Sequence, residues 1–363
     1  MYSATRRAVM LPWHRTVRQV YPPVFEAVTN RTDVFVGCCA TVTYWRVDCE
    51  RRCSAVRGRG NRSWEVSRMK IDLVQDVRAV LGEGPIWDER SQRLHWVDIH
   101  AGLVHRFSPA DGSDLVLNIG QPVSAVGLGL RGGLVVAIRD GFGLVFSGSD
   151  CLDRVVEVEK DLLRNRMNDG RCDAMGRFWA GTMATRWEDE HCAGALYRLE
   201  AVDDALMAAR VLGDITVANG IDWAPDGRLM YYIDSWTQRI DVFDFEAETG
   251  TLTRRRNFVT VAPEDGLPDG LVVDADGCVW VALFGSGRLR RYSPAAEVDF
   301  EIELPVTLVT SAAFGGPDFG DLYITTAKHR LTPGERDQQV HAGGLFCCRP
   351  GPKGKPEQRF RWV

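Results

Sequence analysis

Lysine is scarce in this sequence: Lys70, Lys160, Lys328, Lys353 and Lys355 are the only five among 44 Lys plus Arg in 363 residues. Such a bias fits a GC-rich genome and carries no functional signal. Long apolar runs are missing as well. The best candidate, 34–45, falls short of the roughly 20 residues that cross a bilayer and is broken by Gly37, Thr41 and Thr43, so no membrane span is expected. The first residues lack a sustained apolar centre followed by a small-residue cleavage site, and a cytoplasmic location is the default expectation. No Cys-x-x-Cys occurs: the ten cysteines are vicinal pairs or singles, which argues for reduced, mostly buried thiols instead of a disulfide framework. A Gly-x-Ser-x-Gly elbow is also absent, and with it the usual mark of a serine-nucleophile esterase.

Charge is unevenly spread. Residues 1–68 hold 12 Arg, no Lys and five acids, a net of +7 in a chain whose total is −5. This stretch has no sustained apolar periodicity, and Met69 stands directly ahead of a well-patterned strand at 71–77. The expectation is a poorly ordered or spurious basic extension over 1–68 and a single domain over 69–363. No helix face organises the arginines into a nucleic-acid surface, so no nucleic-acid partner is expected.

After residue 69 helical patterns are nearly absent, and short apolar runs are broken by Gly, Asp-Gly and Pro-Asp-Gly, as in successive hairpins. One unit recurs. A polar residue opens an apolar strand at Glu83, Ser124, Asn168, Asn219, Asp269 and Ser311, at intervals of 41, 44, 51, 50 and 42 residues. Eleven to thirteen positions later a second strand brings Trp96, Val136, Trp179, Tyr231, Trp280 and Tyr323. The spacing is that of a four-stranded blade, and six blades make an all-β fold, a six-bladed β-propeller. The strand at 71–77 would complete the last blade and leave no open edge.

In a propeller the innermost strands surround a channel, so the six polar heads converge at its mouth. Two carboxylates, two carboxamides and two hydroxyls form an oxygen set suited to one divalent cation, Ca²⁺ first, with Mg²⁺, Mn²⁺, Zn²⁺ or Fe²⁺ as alternatives. Glu83 weighs most, because Glu is not a turn residue, whereas Asn-Gly and Asp-Gly are also turn formers.

The segments Leu81-Gly82-Glu83-Gly84-Pro85, Asn165-Arg166-Met167-Asn168-Asp169-Gly170-Arg171, Ala218-Asn219-Gly220-Ile221-Asp222-Trp223, Tyr231-Tyr232-Ile233-Asp234-Ser235 and Pro268-Asp269-Gly270 resemble the motifs of the senescence marker protein / gluconolactonase / regucalcin-like family. The resemblance implies a six-bladed propeller that binds a divalent cation and opens sugar lactones. On matching positions it implies Glu83, Asn219 and Asp269 as metal ligands, Asn168 beside the metal, and Arg166 on substrate oxygens. One departure stands out: where the regucalcin branch has a substrate-binding Glu after its Gly-Thr-Met segment, this chain reads Ala184-Thr185-Arg186. The sugar is therefore not transferable from that branch.

The expected reaction is hydrolysis of a small sugar-type lactone (aldonolactone), with Asp269 as general base and Asp234 as a weaker second choice. A promiscuous esterase or phosphotriesterase and a non-catalytic calcium-binding propeller are the competing expectations. Gly127-Leu128-Gly129-Leu130-Arg131-Gly132 matches a dinucleotide fingerprint in letters but enters a Gly-Gly turn with no helix behind it. His95, His100 and His105 read as surface or packing residues of a blade. Oligomeric state is not legible.

Overall fold

The computed structural model describes residues 69–362 apart from Asp204, so the expected extension over 1–68 lies outside the described residues. Within them the hairpin pattern folds into antiparallel strands grouped in six sheets. One α-helix, Pro333–Gln338, interrupts the strands, held at its start by a reciprocal Thr332–Glu335 capping box. Gly227 and Gly277 close hairpins between first and second strands at φ of 69° and 82°, a region that L side chains avoid.

Each sheet is one blade, read outward from the channel. Blade 1 runs Gly82–Asp88, Arg93–Asp98, Leu103–Phe107, Asp114–Asn118, and blade 2 begins with Val123–Gly129. Blades 3, 4 and 5 begin with Asn165–Cys172, Ala218–Trp223 and Leu267–Val273. Blade 6 runs Val309–Gly315, Asp321–Thr326, Leu345–Cys348, and takes its outer strand, Asp72–Gln75, from the start of the domain. That is the expected closure. The ring is sealed where Leu81 bridges Ala327 and the Thr310 hydroxyl donates to the Gly82 carbonyl at 2.6 Å. The all-β six-bladed reading holds.

The six residues expected on second strands are all buried between blades. A fully buried large apolar side chain stabilises by about 2–3 kcal/mol relative to exposure, which is why this offset is so regular. Two of the tryptophans are also tied by their ring nitrogens. Trp179 Nε1 donates to Asp173 at 2.8 Å and Trp280 Nε1 to Asp274 at 2.9 Å, and each carboxylate also accepts backbone N–H groups of its own hairpin turn. His95 and His105 are buried packing residues; His105 stacks on Trp96 and bonds Asp114 at 2.6 Å. The six cysteines among the described residues are free thiols, with Cys172, Cys278 and Cys348 buried and Cys151 and Cys192 exposed.

The C-terminal residues were not read from the sequence. Residues 353–361 run beneath the channel at the end away from the six polar heads. The Lys353 carbonyl accepts from Ala275 N, Gly354 N donates to the Phe319 carbonyl, and Arg361 N donates to the Gly176 carbonyl. Arg359–Phe360 pairs in parallel with the innermost strand of blade 2. Lys355 Nζ lies 2.6 Å from Asp222, Glu357 lies 2.9 Å from Arg171, and Arg359 pairs with Asp88. The channel is thereby closed at one end and open at the other.

Candidate active site

Every innermost strand carries a register shift near its start. The shifts fall between Glu83 and Ile86, Val123 and Ala125, Met167 and Gly170, Ala218 and Ile221, Pro268 and Leu271, and Val309 and Ser311. An extra residue in one strand re-aims a side chain, and here it falls at the polar head of each repeat. Two of the glycines after these heads, Gly220 and Gly270, serve close approach, whereas Gly84 takes a positive φ of 52°. A Cβ on Gly220 would stand 2.5 Å from Leu271 N, and one on Gly270 would stand 2.2 Å from Ser311 Oγ.

Glu83, Arg166, Asn168, Asn219 and Asp269 line one cleft at the open mouth, joined by Trp187, Trp236, Phe284, His329 and Arg330. All five sequence-expected site residues are thus brought together. Ser124 and Ser311 are not among the lining residues; the Ser124 hydroxyl turns into its own sheet and donates to the Ala137 carbonyl at 3.3 Å. Asp234 is committed elsewhere. Its carboxylate accepts from Thr216 N at 3.0 Å and Val217 N at 2.9 Å, as Asp98 does from Val80 N and Leu81 N in blade 1. Both aspartates anchor the chain as it enters a blade, which leaves Asp269 and Glu83 as the carboxylates that face the cleft.

Hydrogen bonds tie the set. Arg166 Nη1 donates to Asn168 Oδ1 at 2.6 Å and to the Met167 carbonyl at 2.9 Å. Asn168 Nδ2 donates to Asn219 Oδ1 at 3.0 Å and to the Ala218 carbonyl at 2.6 Å. Asn219 Nδ2 donates to Ser235 Oγ at 2.8 Å, and that hydroxyl donates to the Pro268 carbonyl at 2.6 Å. Ser235 is a supporting residue that the sequence reading quoted only inside a motif.

Burial pushes Glu83 and Asp269 well above the usual carboxylate range, and crowding adds to it: Asp269 and Asp169 raise Glu83, and Asp169 raises Asp269. Burial likewise lifts Asp169 to about 6. Arg166 is lowered by burial to about 10, which leaves it charged at neutral pH. Two buried carboxylates and an amide oxygen facing one space are the donor chemistry of a hard divalent cation, and positive charge there offsets their repulsion. The residues fit such an ion. No three His, Cys, Asp or Glu converge among the described residues, because one member of this set is an asparagine.

A wider groove lies at the outer edges of blades 5 and 6, lined by Phe107, Phe300 and Tyr323. Its arginines are already paired, Arg291 with Asp299 and Arg349 with Asp321. The channel mouth, where carboxylates face one another, is the stronger candidate.

Sequence reasoning missed the rim. His329, Arg330, Trp187 and Trp236 come from loops that do not follow the blade repeat, and His100, read as a surface or packing residue, lies beside His329 at 5.4 Å. Only Trp236 had a local signal, since it directly follows the Tyr231 to Ser235 motif.

Residues 81–328 match the family model described as SMP-30/Gluconolactonase/LRE-like region. A putative sugar lactone lactonase, YvrE, of Bacillus subtilis is 39% identical over 283 residues, covering 77% of this chain and 95% of its own. Regucalcin of Gallus gallus is 34% identical, covering 81% and 99%. Among solved structures, a calcium-binding protein, regucalcin, from Agrobacterium tumefaciens superposes with a TM-score of 0.77 at 29% identity, covering 81% of this chain and 98% of its own. A gluconolactonase from Xanthomonas campestris, at 21% identity and a TM-score of 0.63, covers 78% and 90% and shares the fold. By motif order and by these matches, the chain belongs to the SMP-30/gluconolactonase/LRE-like family.

Proposed function

We propose that this chain hydrolyses a sugar-type lactone with the help of one divalent cation held by Glu83, Asn219 and Asp269. The observation that carries this is the convergence of those three oxygen donors with Arg166 and Asn168 in one cleft. The names of the relatives, a lactonase and regucalcins, support the same reading. A bound cation supplies positive charge that polarises the lactone carbonyl and stabilises charge developing on its oxygen.

The chain's own residues do the rest. Arg166 spends one nitrogen on Asn168 and Met167, and its other donors are left for lactone oxygens. Asn168 holds that guanidinium and the Asn219 amide in fixed positions. Asp269, a carboxylate lining the cleft beside Arg166 and Asn219, takes the proton from the attacking water. The acyl–oxygen bond breaks and the ring oxygen leaves as a hydroxyl, receiving the proton that Asp269 took from the water.

The test is acid release from a panel of five- and six-membered sugar lactones, with cation and with chelator. Turnover above background that chelator removes and Ca²⁺, Mg²⁺, Mn²⁺ or Zn²⁺ restores is the expected result. Background rates on the whole panel with the cation-loaded protein would overturn the proposal and favour a non-catalytic propeller.

A further inference from the structure

The rim of the cleft is aromatic where the blade cores do not require it. Trp236, in the short 3-10 turn Ser235–Thr237, lines the cleft yet is 48% exposed. The His191 ring stacks on it at 4.3 Å and 22°, and Trp187 meets it edge-on at 5.8 Å. Both neighbours come from one loop, 185–193 of blade 3. From the opposite side of the ring, Arg330 places its guanidinium over Trp187 at 5.3 Å and pairs with Glu188 at 2.8 Å. Loops from three blades thus build one shelf, with the half-exposed Trp236 ring for a floor, Trp187 edge-on to it under the Arg330 guanidinium, and the Glu188 carboxylate beside them.

A large aromatic left half open beside a polar cleft is an informative exposure, because covering apolar surface gains about 25 cal/mol per Å². The shelf is amphipathic in a specific way. A sugar ring offers C–H groups on its face and hydroxyls around its edge, so it can cover the indoles and exchange hydrogen bonds with Arg330 and Glu188. An alkyl or aryl group would cover the indoles but desolvate the ion pair without replacing its water.

We propose that this shelf is an outer subsite for a second sugar ring, so that the preferred substrate is the lactone of a disaccharide acid and not a free aldonolactone. This rests on the lactone-hydrolase reading of the inner cleft. The inner ring would present its carbonyl oxygen to Arg166, with the attacking water beside Asp269, and the outer ring would lie on Trp236 against the edge of Trp187.

The experiment compares kcat/KM on glucono-δ-lactone with that on the δ-lactones of cellobionic and maltobionic acid. At least one disaccharide lactone is expected to be preferred by about ten-fold or more, since about 1.4 kcal/mol of stacking corresponds to that factor. In Trp236→Ala the ratio of disaccharide to monosaccharide kcat/KM should fall by about ten-fold through KM, and Trp236→Phe should restore most of it. Equal use of all three lactones by the unaltered protein, or an equal loss on all three in Trp236→Ala, would overturn the subsite. Tryptophan fluorescence read while titrating cellobionic and maltobionic acid separates the two proposals. If no lactone is turned over, the hydrolase reading fails, while quenching that Trp236→Ala abolishes still supports the shelf. Absence of quenching by both acids overturns it.

Discussion

Asn168 and Asn219, 51 residues apart and on neighbouring blades, are joined directly by a 3.0 Å hydrogen bond from one side-chain amide to the other. Because Arg166 donates to the free oxygen of Asn168, the substrate-facing guanidinium and a cation-facing amide share one support. Replacing Asn168 by Leu should therefore weaken two functions together. Residues that orient ligands typically contribute 10–100-fold, so cation affinity should fall about ten-fold and kcat/KM by about 100-fold or more. Calorimetric titration of the cation and lactone kinetics on the same preparation check this; unchanged cation affinity would separate Asn168 from Asn219.

Asp269→Asn should raise the stability of the cation-free protein while abolishing its activity. The reason lies in the crowding of carboxylates: burial and Asp169 push Asp269 up, and burial, Asp269 and Asp169 push Glu83 up. A carboxyl raised in the fold contributes stability below its ordinary value and loses it as pH rises through the higher, folded value. Well above the ordinary carboxylate value the two crowded acids are therefore a burden that the amide relieves. Thermal unfolding in chelator should show Tm at or above that of the unaltered chain. With added cation, the unaltered chain should gain about 2.7 kcal/mol at 100-fold over Kd, a gain absent from the variant. Turnover should fall by about 100-fold or more.

The repeat was legible because each blade must bury an aromatic or β-branched residue at a fixed distance from its innermost strand, as Trp96, Trp179 and Trp280 do. The polar heads were legible for a related reason: Glu83, Asn168, Asn219 and Asp269 sit at equivalent places in that repeat. The glycines after them were open to a turn reading, and only coordinates show that Gly270 is needed so that Ser311 can approach. Asp234 looked available as a base because the backbone amides that occupy it lie on a segment 17 and 18 residues earlier. The rim and the C-terminal closure obey no repeat, since loops and tails are shaped by what they meet. Lys355 finds Asp222 at a separation of 133 residues, a pairing no local pattern announces.

That closure should be a large part of the fold's stability. Asp222 is buried, and although burial alone would raise it, Lys355 and Arg171 hold it below the ordinary carboxylate range. Deleting residues 353–363 removes Lys355 from Asp222 and Glu357 from Arg171, and leaves the buried Arg171–Asp222 pair at 3.0 Å as their remaining ionic contact. Because that pair survives, the cost should stay below the roughly 3–5 kcal/mol of stranding one half of a buried ion pair. The urea midpoint of the truncated chain should drop accordingly, and Lys355→Met should reproduce part of the loss. An unchanged midpoint in both would show the tail to be incidental.

His95 should make the fold sensitive to mild acid. It pairs across Ile86 and Arg106 in the middle of blade 1, and its Nδ1 has no hydrogen-bond partner. Burial lowers it to about 4, Asp88 pulls the other way, and Arg106, Arg93 and Arg359 add to the depression. A histidine depressed in the fold contributes fully above its ordinary value near 6.5. Below that the unfolded chain takes up a proton that the fold refuses. Stability is lost as pH falls from about 6.5 to about 4, by up to about 3 kcal/mol, and rises with pH across the same window. Urea unfolding of the unaltered chain and of His95→Gln at pH 7 and pH 4.5 isolates this part, because the carboxylates common to both cancel. The variant should lose about 2–3 kcal/mol less than the unaltered chain between the two conditions. Parallel losses would mean that acid sensitivity arises elsewhere, with the cleft carboxylates set against it, since protonation of Glu83 and Asp269 favours the fold.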